Sequence, residues 1–241
     1  MIKIEYVSKY NDAIECALFG EIGQQIYSKG YSVTVPSDYN GVTTVLSSTS
    51  DKSFLVEWRK RIGDQEADKI VNESILIGKQ LDTMLYSHFT GCVLQSDSDV
   101  HEKVPHLYRQ LLPKLKYIEP VACQLKVTSD KHRLYGYVDM LCYYKGVLTL
   151  LDFKNARRLK DEKELTDYKL QCTMYCMFLY EQYGIAVKQI MLLIAVRDSV
   201  YPQVVIEETK HYVKEAISRI CVYRSSGTST NESPQQPVYV N

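Results

Sequence analysis

"GYVDMLCYYKGVLTLLDFKNARR", residues 136 to 158, places an aspartate inside one apolar run and an Asp-x-Lys inside the next, with Lys145-Gly146 between them. Each run reads as a strand, and a Lys-Gly pair between two such runs reads as a two-residue hairpin loop. With Tyr144 paired to Val147, counting back along both strands sets Asp139 opposite Asp152. Alternation then puts Asp152 and Lys154 on one face, and Asp139 projects from that same face. Opposed β-carbons lie about 4.5–5.5 Å apart, so two carboxylates there repel and weaken the sheet. Two readings fit this arrangement. In one, the charged residues are the solvent-facing side of an amphipathic hairpin. In the other, a hard divalent cation sits between the carboxylates, since Mg2+ takes one or two carboxylates plus waters and phosphate oxygens. Lys154 is then placed to orient an attacking water and to offset developing phosphate charge.

Outward from the hairpin, "CQLKVTS" before it is a third candidate strand. After it, "KELTDYKLQCTMYCMFLYEQY", residues 163 to 183, carries Leu165, Tyr168, Cys172, Tyr175 and Leu179 at three- and four-residue spacing, a long helix. "KQIMLLIAV", residues 188 to 196, reads as a buried strand, and "EETKHYVKEAISRICVYRSS" as a last helix. Upstream, Ser53 to Phe89 has helical spacing with a break near Gly63, and "HLYRQLLPKLKYI" is a short helix bounded by Pro113. Residues 1 to 50 read as short strands and turns. The order predicts an α/β (α+β) chain with a central mixed sheet flanked by helices. It divides into an N-terminal β and helical region at 1–118, a core at 119–224 and a polar tail at 225–241, expected to be disordered, within one compact domain overall.

The composition constrains the partners. Hydrophobic residues at 45% and charged residues at 24% match a globular chain rather than a disordered or membrane one. No apolar run approaches the roughly 20 residues that span a bilayer, and the start lacks the apolar core of a signal peptide. The 29 basic and 29 acidic residues cancel, so any polyanion must be held by local clusters and bound metal. Seven cysteines without a Cys-x-x-Cys suit reduced thiols, and the expected location is intracellular and cytoplasmic.

"GYVD", the strand ending "LLDFK", and "QCTMY" together resemble the Gly-x-x-Asp, Asp-x-Lys and Gln-x-x-x-Tyr series of RecB-type nuclease domains in the PD-(D/E)XK superfamily. The resemblance covers residues 136 to 175. It implies a restriction-endonuclease-like core with Asp139 and Asp152 as ligands of one or two Mg2+ or Mn2+ ions. It also implies that Phe153 lends a backbone carbonyl to the metal and that Lys154 is the catalytic lysine. Gln171 and Tyr175, four apart on one helix face, are implied as functional; each alone reads equally as a solvated or core residue.

Upstream, "GVTTVLSSTSDKSFLVEWRKRIGDQEADKI" and "IGKQLDTML" loosely resemble the N-terminal half of mitochondrial genome maintenance exonucleases and their phage relatives. Those carry a Gly-x-x-x-His helix whose histidine reaches the metal. Here Gly78 is followed by Asp82, which either ligates a hard cation or is a solvated helix residue. A second departure is Gln124, near where relatives often carry an acid on the preceding strand; Glu119 lies just outside that strand.

Arg157, Arg158 and Lys160 follow the Asp-x-Lys strand, and Arg59, Lys60 and Arg61 adjoin the only tryptophan, Trp58. These are candidates to hold phosphates and stack bases, although charge runs are commonly solvated faces. The expected function is a Mg2+- or Mn2+-dependent DNA nuclease, an exonuclease on single-stranded ends in replication, recombination or repair. Its expected partners are DNA and other replication or recombination proteins, its expected state a monomer and its expected source a phage or bacterium. The alternative is a nuclease-fold protein that binds ends or a replication partner without cutting. No iron–sulfur cluster is expected, because only Cys221 lies beyond the helix of Cys172 and Cys176.

Overall fold

The computed structural model describes residues 16–31, 34–92 and 99–227. In chain order these form β1 (Ala17–Leu18), α1 (Gly20–Ser28), β2 (Asn40–Gly41), α2 (Val42–Thr49), α3 (Ser53–Ile62), α4 (Asp64–Thr90) and α5 (Val104–Leu115). Then follow β3 (Ile118–Ser129), β4 (Leu134–Tyr144), β5 (Val147–Ala156), α6 (Glu162–Tyr183), β6 (Gln189–Val196), β7 (Gln203–Glu208) and α7 (Val213–Ser225). The expected tail lies, from residue 228 on, outside the described residues.

Lys145 and Gly146 take φ of 50° and 80°, the pair of left-handed residues a type I′ turn requires, so β4 and β5 close as a tight hairpin. The strand order is β1-β3-β4-β5-β6-β7, with the short β2 pairing parallel to β4. β5 and β6 are parallel, joined by the α6 crossover, and the other neighbours on that path are antiparallel. The fold is therefore the expected mixed sheet flanked by helices.

Each face of the sheet has its own core. On one face Leu150, Ile190, Leu192 and Ile194 pack with Leu165, Phe178 and Leu179 of α6 and with residues of α2 and α7. On the other, Leu151, Phe153, Met191 and Leu193 pack with Ile77, Leu81 and Leu85 of α4 and Leu107 and Leu111 of α5. β6 is apolar on both sides, as a parallel strand covered by helices must be. Burying each such Leu, Ile or Phe contributes about 1.5–3 kcal/mol.

Four sequence expectations need correction. β3 starts at Ile118, so Glu119 lies inside the strand, paired with Tyr143, and not just outside it. Residues 16–50 hold two helices rather than only strands and turns. α2 is rich in β-branched residues, but Val42, Val45 and Leu46 form a buried helical face, and the hydroxyls of Ser48 and Thr49 donate to carbonyls four residues back. Tertiary burial overrides the weak propensity. The last helix starts at Val213, because residues 203–208 form the edge strand β7. Pro113 does not bound α5; it sits in the last turn and forgoes one backbone hydrogen bond there. The break near Gly63 is real: at φ 85° this residue separates α3 from α4.

Candidate active site

The β4–β5 ladder keeps the register set by the turn, from Tyr144 paired with Val147 to Met140 paired with Leu151. It stops there, one position short of the aspartates. Instead of pairing through the backbone, Asp139 turns its side chain to β5, and its Oδ2 accepts the Phe153 amide at 3.1 Å. On the other flank, the β3–β4 ladder passes from Cys123↔Met140 to Leu125↔Val138 and omits Gln124 and Asp139 between them. Gln124 holds a left-handed φ of 53°. Side chains switch sides across this gap: Cys123 and Met140 belong to the α4/α5 core, Leu125 and Val138 to the α6 core. One extra residue in each strand, a bulge facing a bulge, accounts for the switch. The break opens a place for Asp139 within the sheet, and the same ladder shifts register once more between Pro120 and Ala122.

Asp152 shares its face with Leu150 and Ala156 and is only 2% exposed; Asp139 is 6% exposed. The Lys154 ammonium contacts Asp152 Oδ2, lies 3.5 Å from the Phe153 carbonyl, and sits over the Tyr168 ring at 5.3 Å. Burial pulls the Lys154 pKa down, but Asp152 and then Asp139 outweigh it and hold the ammonium well above the usual lysine value. The Cys172 thiol on α6 is pushed well up, first by burial and then by Asp152. It is an inert small residue against the acidic pair.

α6 is started by a capping box in which Asp161 takes the Glu164 amide and Glu164 takes the Asp161 amide. Two turns on, the helix presents Gln171 and Tyr175. Gln171 Nε2 donates to the Tyr175 hydroxyl at 3.0 Å, and its buried Oε1 has no hydrogen-bond partner. The Tyr175 ring lies against Gly136 of β4, so closely that a β-carbon there would be 2.0 Å from Cε1. The glycine of Gly-x-x-Asp is thus explained by contact: any side chain would displace the tyrosine. Tyr168 was not foreseen at the site, although it falls three residues before Gln171, a spacing that shares a helix face.

The remaining candidates are dispersed. Asp82 is half-buried on α4, one turn past Gly78, which packs against Asn155 of β5. Neighbouring Ile77, Leu81 and Leu85 belong to the core on the opposite side of the sheet from α6. Among the described residues no group of three or more His, Cys, Asp or Glu is arranged to hold a metal. Arg157 is exposed, with Asp198 at 3.4 Å; Arg158 is held by Glu164 at 2.8 Å. Lys160 is buried, with Glu164 at 3.8 Å and the Tyr168 ring at 5.7 Å. Trp58 and Arg59 are half-buried and Arg61 exposed on α3, where Arg59 bridges to Asp64 and Asp68.

No family model matches the chain, and no curated protein matches it. Among solved structures it is similar to the "Putative exonuclease" of Eubacterium rectale, at 14% identity over 89% of this chain and 88% of that one, with a TM-score of 0.48. It is also similar to the protein SSO0001, at 11% identity over 85% of each chain, with a TM-score of 0.41. At these scores the likenesses carry no argument; the chemistry rests on the residues themselves.

The donor set fits a hard divalent cation. Two buried carboxylates, a backbone carbonyl at Phe153 and amide oxygens of the Gln171 type are oxygen donors, and Mg2+ needs only one or two carboxylates beside waters and phosphate.

Proposed function

We propose that this protein is a metal-dependent DNA nuclease that hydrolyses phosphodiester bonds at single-stranded ends, working as an exonuclease in replication, recombination or repair. The observation that carries the reading is one buried cluster, Asp139, Asp152 and Lys154, beside the break in the ladders of β4. Two carboxylates buried with a single ammonium leave one negative charge without a counter-charge, which is costly unless a further cation binds there.

Asp139 and Asp152 would hold Mg2+ or Mn2+, which lowers the pKa of water and polarises phosphoryl oxygens. Asp139, fixed by the Phe153 amide, keeps its carboxylate at the mouth of the break. Lys154, restrained by Asp152 and Tyr168, directs its remaining N–H bonds to the reacting phosphate and balances the charge that develops there. Gln171, with an acceptor oxygen in hand and its amide tied to Tyr175, orients the nucleophile or a ligand water. Asp82, which stands where the resembled exonucleases carry a histidine, would be a further oxygen ligand of the cation.

The test uses 5′- and 3′-labelled single strands and a circular single strand, with Mg2+, with Mn2+ and with chelator. Shortening of linear but not circular strands, lost with chelator, is the expected result. Asp152→Asn and Lys154→Ala are each expected to lower the rate about a thousandfold with the fold retained. Full activity in either variant overturns the assignment. A second reading, binding of ends without cleavage, is favoured by the lack of a third acidic group beside the pair among the described residues. Tight binding of single strands with both metals and no cutting would select it.

A further inference from the structure

The sheet ends differently at its two edges. One edge is β1, only two residues long; the other is β7, which pairs without a break from Gln203 to Glu208 along β6. Thr209 donates its amide to the Lys188 carbonyl at 2.9 Å, which fixes the alternation: Gln203, Val205 and Glu207 turn their backbone groups to β6. Those of Val204, Ile206 and Glu208 point outward, and no backbone group among the described residues bonds them.

A row of open amides and carbonyls is a template for another strand, which proteins ordinarily blunt with a short edge, a bulge, a proline or a lysine. β1 is blunted by its length. β7 has no bulge, proline or lysine in its six residues. Pro202 lies before it, and Lys210 beyond it is drawn to Glu208 at 2.5 Å. The Glu207 carboxylate is turned to Lys169 of α6 at 3.0 Å and does not guard the edge. Apolar side chains collect here instead: Ile206 is 44% exposed, and Val200 and Tyr201, just before the strand, are 75% and 77% exposed.

The sequence of β7 is complementary to itself in one register. Two antiparallel copies bond only where outward residues stand opposite outward residues. A two-fold axis at Glu207 or Glu208 would set that glutamate against itself, which repels, and an axis at Val204 or Val205 leaves Glu208 beyond the end of the other strand. With the axis at Ile206, Ile206 faces Ile206 of the partner subunit and Val204 faces Glu208 of the partner subunit. Every outward residue is then paired, each facing pair exchanges two hydrogen bonds, and no glutamate faces a glutamate.

We propose that β7 pairs antiparallel with β7 of a second copy of this chain, with Ile206 on the two-fold axis, so that one sheet runs through a homodimer. The proposal replaces the monomer expected from sequence and is independent of the nuclease reading. An axis between two such strands stands perpendicular to the sheet, so both α6 layers lie on the same side. From β5 to its counterpart is five strand spacings, which sets the two acidic sites about 24 Å apart across the sheet at ~4.8 Å per spacing.

The experiment measures the mass of the full chain by sedimentation equilibrium from roughly 1 to 100 µM, for the wild type, Ile206→Lys, Ile206→Glu and an equal mixture of the two variants. The wild type is expected to approach twice the chain mass. Each variant alone is expected to raise the dimer Kd at least tenfold, because like charges meet on the axis, and the mixture to recover the dimer, because lysine then faces glutamate. A wild type of single mass throughout overturns the proposal. A dimer unmoved by both variants places the contact elsewhere, and a mixture that stays at single mass takes Ile206 off the axis; either result also overturns it. Should a charged variant fail to fold, Ile206→Cys decides. Its two thiols, with Cα atoms about 5.5 Å apart, are expected to close a disulfide on treatment with diamide, which takes up the two electrons and two protons. A cross-linked dimer no more abundant than in the wild type treated alike overturns the pairing.

Discussion

Gly136 is where the absence of a side chain does most for the site. Tyr175 occupies the space a β-carbon would need, and Tyr175 in turn holds Gln171. Gly136→Ala must push the ring away or part β4 from α6, at a cost of about 1–3 kcal/mol for overpacking. Cleavage is expected to fall at least tenfold, and Gly136→Ala combined with Tyr175→Ala to cost less stability than the two single changes summed, a coupling that thermal melts read directly. The acidic pair makes its own prediction. A cation that binds the native state alone stabilises it by about 2.7 kcal/mol at a hundredfold excess over Kd. Mn2+ is therefore expected to raise the Tm of the wild type by several degrees and to leave Asp139→Asn and Asp152→Asn unmoved; equal shifts in all three would place the metal elsewhere.

At the scale of elements, the hairpin between β4 and β5 fixes where Asp139 and Asp152 meet. Its turn demands left-handed φ at both loop residues, and Lys145 meets that demand poorly. Lys145→Asn is expected to stabilise the protein by about 0.5 kcal/mol without changing cleavage, since asparagine tolerates this conformation and the exposed lysine only overhangs Tyr117 and Tyr144. A denaturant midpoint that falls would mean those ring contacts outweigh the turn. The same hairpin shows what was legible in sequence. The turn, the register and the long helix α6 follow from local pattern, and so does the shared face of Asp152 and Lys154. The paired bulge at Gln124 and Asp139 does not, because both strands slip together and the register beyond is unchanged. No glycine marks it; a glutamine holds the left-handed position. α2 was hidden for a different reason, its helical face lying among Thr and Ser residues that satisfy their hydroxyls on their own backbone. β7 was hidden because an edge strand with half-exposed side chains has no strong alternation.

At the scale of the whole molecule, the two cores leave their polar joints at the carboxyl edge of the sheet, and Glu73 is the centre of one. From α4 it reaches Lys103 beside α5, Arg197 after β6 and the His101 ring at 3.4 Å. Lys103 holds its carboxyl below the ordinary glutamate range against the opposing effect of burial, with Arg197 and His101 adding to the shift. A carboxylate whose folded pKa lies below its unfolded value stabilises the fold above the unfolded pKa, and that stability is lost as pH falls through the folded one. Glu73→Gln is therefore expected to melt about 2 °C below the wild type at pH 7, the difference closing below about pH 4. A gap that persists unchanged at pH 3 would show that Glu73 acts through packing rather than charge.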